Sequence, residues 1–298
     1  MAIRVTQSTT AAVMLQGIET SYDAFETTSS QIASGQAITK PSDNPAGTVQ
    51  VMSYNAELTR LGQYQTNAND GLAWLGSAQN TLGSIATGLQ KVQQLVQQGA
   101  TSTTDAAGRA AIADQIDTIK STLLNDANTS YLGRPIFGGT TGGTAAYDAT
   151  GNYVGDNGAV TRTVAAGTTV QVNVLGTTAF GSGASSIFSV LTQISADLRS
   201  ANPTNTAALG TTDLTAVQQS LTTLQDAQAT VGSNYNEVQS LQSLAQSRQT
   251  TVTTAKSAVS DLDIAKAEIA LSTQQLTYQA ALQATSKVLS LSLSGFLA

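Results

Sequence analysis

The 298-residue chain contains no cysteine and no histidine. Without thiol or imidazole there is no disulfide, no common zinc ligand set, no cysteine nucleophile and no triad with a histidine base. An enzyme built from this sequence would have to work with carboxylates, Lys, Tyr or Ser alone. Charge is scarce as well, at 11% of residues, and 13 basic against 19 acidic side chains leave a net charge of −6 with no basic run. The electrostatic footprint of a nucleic-acid or anionic-membrane partner is therefore missing. No stretch approaches the ~18 consecutive apolar residues of a membrane span. Polar residues Gln7 to Thr10 interrupt the N-terminal segment too early for a cleavable secretory signal. Aromatic residues make up only 5%, with a single Trp, which disfavours one thick globular core and suits long helices with thin apolar seams.

Such seams are present at both ends. Ala11, Leu15, Ile18, Tyr22, Phe25 and Ile32 follow steps of four and three, with Ser29 in the one polar slot, and predict a helix from about Gln7 to Ala33 that seeks a partner helix. Gly35 is a natural C-terminal breaker. In Pro41-Ser42-Asp43-Asn44-Pro45, Asn44 is a candidate N-cap and Pro45 fits the first position of a second helix, where its missing donor costs nothing. That helix carries a seam from Val51 and Leu58 through Ala68, Leu75, Gln79, Leu82 and Leu89 to Val96. At ~1.5 Å per residue it would be on the order of 80 Å long. A third helix, capped by Thr104, should fold back on it through Ile112, Ile116, Ile119 and Leu123. At the far end Val259, Leu262, Ile269 and Leu276 continue a narrow stripe, and Leu289, Leu291, Leu293, Phe296 and Leu297 crowd the last ten residues.

Between Tyr131 and Gly183 the period changes. Gly138-Gly139, Gly142-Gly143, Gly151-Asn152 and Asp156-Asn157-Gly158 are turn signals. Val160, Arg162 and Val164, then Val170, Val172 and Val174, alternate as half-buried strands do. Ile187, Leu191, Ile194 and Leu198 restore helical spacing until Asn202-Pro203, and a very long last helix starts near Thr212, with an interruption expected near Ser247 to Thr254. The expected fold is mainly α: an elongated antiparallel helical rod with coiled-coil termini and a small β-rich insertion at its tip. It divides into an N-terminal axial helix (1–40), an outgoing rod segment (41–130), the β-rich tip (131–185), a returning rod segment (186–255) and a C-terminal axial helix (256–298).

Several local strings together resemble one family. Ile32 to Ile38 followed by Pro41-Ser42-Asp43-Asn44-Pro45-Ala46, then Asn67 to Leu75, then Asp261 to Ala267 with Gln274-Gln275-Leu276 and the Leu289 to Leu297 tail, are similar to segments of bacterial flagellar junction proteins and flagellins. The likeness covers roughly residues 1–130 and 186–298. Pro41, Pro45 and the Trp74-Leu75 pair are more like the junction proteins than the flagellins. The resemblance implies an extracellular structural protein of the flagellum that joins hook to filament, with flagellin as the alternative. It implies export through the flagellar type III pathway without a cleaved signal, an export chaperone, and contacts with itself, a neighbouring hook-associated protein and flagellin. Cofactors, catalytic residues and metals are not expected.

The residues that would carry assembly are Leu15, Ile18, Tyr22, Phe25, Ile32, Leu262, Ile269, Leu276, Leu289, Leu291, Leu293, Phe296 and Leu297, with Pro41, Asn44 and Pro45 shaping the loop. Other clusters have plainer explanations. Glu19, Asp23 and Glu26 lie at helical spacing with no aromatic sugar platform, so a solvated face accounts for them better than a glycosidase pair. The Gly138 to Gly143 stretch lacks the Lys-Ser/Thr of a phosphate loop. Trp74, beside a seam residue, belongs to packing. The apolar crowd from Val288 to Leu297 is different, since a monomer would leave it exposed, and exposed patches of that kind mark interfaces.

Overall fold

The computed structural model describes residues 7–101 and 104–297, with side chains defined at 9, 12–101, 104–202 and 204–287. It contains α1 (Gln7–Ser34), α2 (Pro45–Gly99), α3 (Ala106–Ala127), β1 (Ser130–Tyr131), β2 (Arg134–Pro135), β3 (Thr161–Ala165), β4 (Thr168–Gln171), α4 (Gly176–Phe180), α5 (Ile187–Arg199), α6 (Pro203–Ala208), a π-helical turn (Leu209–Asp213), α7 (Leu214–Ser260) and α8 (Ile264–Leu297). The fold is mainly α with a small β-rich insertion. The chain divides into two compact units, residues 1–60 with 248–298, and residues 61–247.

In the 61–247 unit, α2 buries Leu75, Ala78, Leu82, Ile85, Leu89, Val92 and Val96. These follow unbroken steps of three and four, the spacing that keeps one face of a helix on a neighbour. Gln79, expected in that seam, is exposed, and Ala78 fills the slot instead because a carboxamide there would lose its water. Helix α7 answers with Val217, Leu224, Val231 and Val238, buried at every seventh residue. Helix α3 folds back on α2, and Gly88 permits the approach: a Cβ there would sit 2.6 Å from Leu123 Cδ2. The cap of α3 is Asp105, whose Oδ1 accepts from the Gly108 amide at 2.7 Å. Thr104, the expected cap, donates its hydroxyl to the Gln98 carbonyl, so the stronger carboxylate acceptor takes the helix end.

The insertion shares this unit's core. Strands β3 and β4 form an antiparallel hairpin with Val164 and Val170 buried, and Arg162, opposite Val170, reaches out to Asp70 of α2 at 2.6 Å. Phe137, Tyr147, Phe180 and Phe188 form an edge-to-face cluster, with Phe137–Phe180 centroids at 4.8 Å and Tyr147–Phe188 at 5.0 Å. Phe188 belongs to α5 and Trp74 of α2 meets Tyr131 of β1 edge-on at 5.6 Å, so aromatic contacts tie the insertion to the helices. Asn202-Pro203 ends α5 and also starts a helix, since Asn202 Oδ1 caps α6 by accepting from the Thr204 amide at 3.0 Å. Asn44-Pro45 does the same for α2. The expected interruption at Ser247 to Thr254 does not occur; α7 runs to Ser260 and the break falls at Asp261-Leu262-Asp263.

Candidate assembly interface

Helix α1 stops at Gly35, whose φ of +70° is open to glycine at little cost. The chain then pairs with the α7–α8 junction: the Ala37 amide donates to the Ser260 carbonyl at 2.8 Å, and the Leu262 amide donates to the Gly35 carbonyl at 3.0 Å. This short antiparallel bridge, Gln36 opposite Asp261, sets α1 and α8 side by side in opposite directions. Asp263 starts α8 by accepting from the Lys266 amide at 3.2 Å. Farther along, the rings of Tyr22 and Tyr278 meet at 5.7 Å.

The face that α1 covers is Met14, Ile18, Ser21, Phe25, Thr28 and Ile32, and the face that α8 covers is Ala267, Leu271, Gln274, Tyr278, Ala281 and Thr285. Both sets keep the four–three spacing, yet half of their members are small or polar. Of the residues assigned to assembly from the sequence, Ile18, Phe25, Ile32 and Leu262 are partly covered. Leu15 and Tyr22 remain 58% and 49% exposed, and Ile269 and Leu276 remain 69% and 65% exposed. Counting 100° per residue places Ile269 and Leu276 on the side of α8 opposite its α1-facing row. The structure thus separates two groups that the sequence had merged: a pairing face, and an outward apolar face. Leu289, Leu291, Leu293, Phe296 and Leu297 lie outside the residues whose side chains are described. Ser21, Thr28, Gln274 and Thr285 escape a reading guided by apolarity, and Met14, Leu271 and Tyr278 fall outside the seams chosen on that ground; the signal available is the seven-residue spacing of Ala267, Gln274 and Ala281.

The loop leading into α2 is held by Asp43, whose Oδ2 accepts from the amides of Thr39 at 3.0 Å and Lys40 at 2.8 Å and from the Thr39 hydroxyl at 2.8 Å. The Lys40 amide and the Thr39 hydroxyl hold its carboxyl below the usual range. Asn44 Oδ1 accepts from the Gly47 amide at 2.9 Å, and Pro45 opens α2. In the other unit the acidic residues of the insertion are equally committed. Asp148 accepts from the hydroxyl and amide of Thr150 and from the Asn152 amide, which brings it down to about 2, and Asp156 accepts from the amides of Thr140 and Gly158. Among the described residues there is no group of three or more Asp or Glu side chains placed to hold a metal ion, and no helix long and apolar enough to cross a membrane.

Residues 5–141 match the bacterial flagellin N-terminal helical region. The flagellar hook-associated protein 3 of Escherichia coli K12 is 26% identical over 94% of this chain and 95% of its own length. That of Salmonella typhimurium LT2 is 27% identical over 56% of this chain, and the match spans about half, 54%, of the Salmonella protein. Flagellin C of Vibrio cholerae is 26% identical over 47% of this chain and 37% of its own. The solved structure of a flagellar hook-associated protein from Vibrio parahaemolyticus superposes with a TM-score of 0.69 at 18% identity, over 74% of this chain and 100% of that one. Residues 5–141 are thus similar to a flagellin N-terminal helical region, and the likeness that extends over most of the chain is to the hook-associated protein 3 of Escherichia coli.

Proposed function

We propose that this chain is a non-enzymatic structural component of the bacterial flagellum that joins hook to filament by helical self-assembly, using α1 and α8 as the assembly elements. The observation that carries the reading is the extent of likeness: the Escherichia coli hook-associated protein 3 aligns over 94% of the chain, whereas flagellin C of Vibrio cholerae aligns over 47%. Physical support comes from Leu15 of α1 and Ile269 and Leu276 of α8, which the subunit leaves mostly exposed and which gain cover in a polymer. The partners on this reading are further copies of the chain, a neighbouring hook-associated protein and flagellin, with a chaperone guarding the C-terminal segment before export without a cleaved signal. Flagellin itself is the second reading, favoured by the N-terminal helical region. Catalysis has no support in the insertion, where Asp148 and Asp156 are both spent on turns. Deleting the gene should leave hooks without filaments and flagellin in the medium, and immunogold should label a narrow band at the hook–filament boundary. Label along the whole filament would assign the chain as flagellin instead.

A further inference from the structure

Asn157-Gly158 is the one Asn-Gly pair in the chain. It lies in the insertion, in a stretch from 156 to 160 that belongs to no helix or strand, and Asn157 is exposed. Among the described residues its carboxamide has no hydrogen-bond partner. An asparagine in this setting can react with its own backbone. The following residue has no Cβ to block the approach, so its amide nitrogen, once its proton is lost, can close on the side-chain carbonyl carbon. A bond forms between Gly158 N and Asn157 Cγ, the Cγ–Nδ2 bond breaks, and the displaced nitrogen leaves with that proton as ammonia. Water then opens the imide ring at either carbonyl, giving aspartate or an isoaspartate linkage with an extra methylene in the backbone.

The neighbourhood fixes this glycine and engages its amide. A Cβ at 158 would run into the Thr140 hydroxyl and would sit 2.9 Å from Asp156 Oδ1, so a larger residue does not fit the turn as it stands. The Gly158 amide donates to Asp156 Oδ1 at 2.8 Å. Asp156 is itself held in place. The Thr140 amide donates to the same oxygen at 2.6 Å, the Thr140 hydroxyl donates to Oδ2 at 2.9 Å, and the Tyr153 hydroxyl donates to the Asp156 carbonyl at 2.6 Å. The Thr140 and Gly158 amides keep its carboxyl below the usual range. A carboxylate on the Gly158 N–H opposes the amide anion that the attack requires, as any charge opposes a like charge forming beside it, and a hydrogen bond to an ionised acceptor is roughly twice as strong as a neutral one. We propose that Asn157 is a spontaneous deamidation site and that the Asp156 carboxylate, by holding the Gly158 amide, restrains it. The reaction bears on the core of the insertion. The Gly158 carbonyl accepts from Asn173 Nδ2 at 3.0 Å, and Asn173, buried, accepts from the Val160 amide at 2.8 Å. A lengthened backbone or a second carboxylate at 157 draws Gly158 away from Asp156 and Asn173 together.

The test incubates the purified full-length chain in warm, mildly alkaline buffer and follows conversion of amide to acid at 157 by peptide mass mapping. Unfolded in guanidinium chloride, the chain should convert at 157 faster than at any other asparagine. The folded chain should convert at 157 about tenfold more slowly than the unfolded one, and Asp156→Asn, which keeps the shape of the acceptor and removes its charge, should recover about that factor. Thr140→Val keeps the charge but removes the hydroxyl that aims Oδ2, and should accelerate the folded chain severalfold. It carries the test if circular dichroism shows the Asp156→Asn chain to be unfolded. Equal rates in the folded and unfolded native chain, no acceleration in a folded variant, or no conversion at 157 in the unfolded chain would each overturn the proposal.

Discussion

Ile269 and Leu276 offer the most direct measure of what assembly contributes. They lie seven residues apart on α8, facing away from α1, and the isolated subunit leaves 69% and 65% of them uncovered. Full burial of such a side chain is worth roughly 1.5 to 3 kcal/mol, so covering the exposed two thirds contributes about 1 to 2 kcal/mol each, or about 2 to 4 kcal/mol per subunit for the pair. Replacing both with Asp removes that gain and adds the cost of desolvating two carboxylates in the interface. Association is then expected to weaken by at least 30-fold, a factor repeated at every contact of the layer. Within the subunit little changes, because neither side chain packs there and Asp in place of Ile or Leu on an exposed helical face costs about 0.5 kcal/mol each. The assay is twofold. Circular dichroism and thermal unfolding of the purified variant should match the parent within a few degrees, while cells carrying only the I269D/L276D chain should shed filaments or fail to retain them. Normal filament attachment with the folded variant present would refute the claim that this face is buried in the assembly.

Three further expectations concern the subunit itself. Trp74, at 2% exposure against Tyr131, is a keystone between α2 and the insertion, and Trp74→Ala should lower stability in urea titration by about 3 to 5 kcal/mol. Asn44→Ala removes the acceptor for the Gly47 amide and should cost about 1 kcal/mol, whereas Asn44→Ser, a cap of similar strength, should restore most of it. Asp213, 5% exposed in the π-helical turn, is raised from 3.8 to about 6 by burial and by the Asp197 carboxylate. Since its folded value lies above its unfolded one, stability should decline as pH rises from about 4 to 6 and stay reduced above that, by about 3 kcal/mol. Asp213→Asn should accordingly raise the melting temperature at pH 7.5 and leave it nearly unchanged at pH 4.

Where local chemistry decides structure, the sequence was readable. Gly35 ends α1, Asn44-Pro45 opens α2, and the valines at 164 and 170 face inward from a hairpin because each of these depends on a few neighbouring residues. The misreadings share a different cause. Ser247 to Thr254 is poor in strong helix formers, yet α7 runs through it, with Val252 buried and the Thr254 hydroxyl bonded back to the Thr250 carbonyl at 3.0 Å; packing overrides a propensity worth only a few tenths of a kcal/mol per residue. The true break at Asp261 to Asp263 depends on backbone pairing with Gly35 to Ala37, more than 200 residues away in sequence. No local pattern announces that, although Asp263 as a cap was there to be noticed.

The assembly face was misjudged for a more instructive reason. Apolar residues on an amphipathic helix are ordinarily those that the subunit buries, and on that ground Leu15 and Tyr22 belong to one seam with Ile18, Phe25 and Ile32, and Ile269 and Leu276 to a second with Leu262. In the structure α1 and α8 meet through Ser21, Thr28, Gln274 and Thr285 interleaved with Met14, Ile18, Phe25, Ile32, Leu271 and Tyr278, a mixed face that gives the pair less burial than an all-apolar seam would, and helices in proteins owe most of their stability to such packing. Ile269 and Leu276 are turned the other way on α8, and Leu15 lies to the side of the covered row on α1. A two-helix element with a mixed inner face and uncovered apolar side chains outside gains further burial in a polymer. On the self-assembly reading this coupling makes the order of α1 and α8 depend on neighbours, so limited proteolysis of the free subunit should cut them before the 61–247 unit, and incorporation into flagella should protect them.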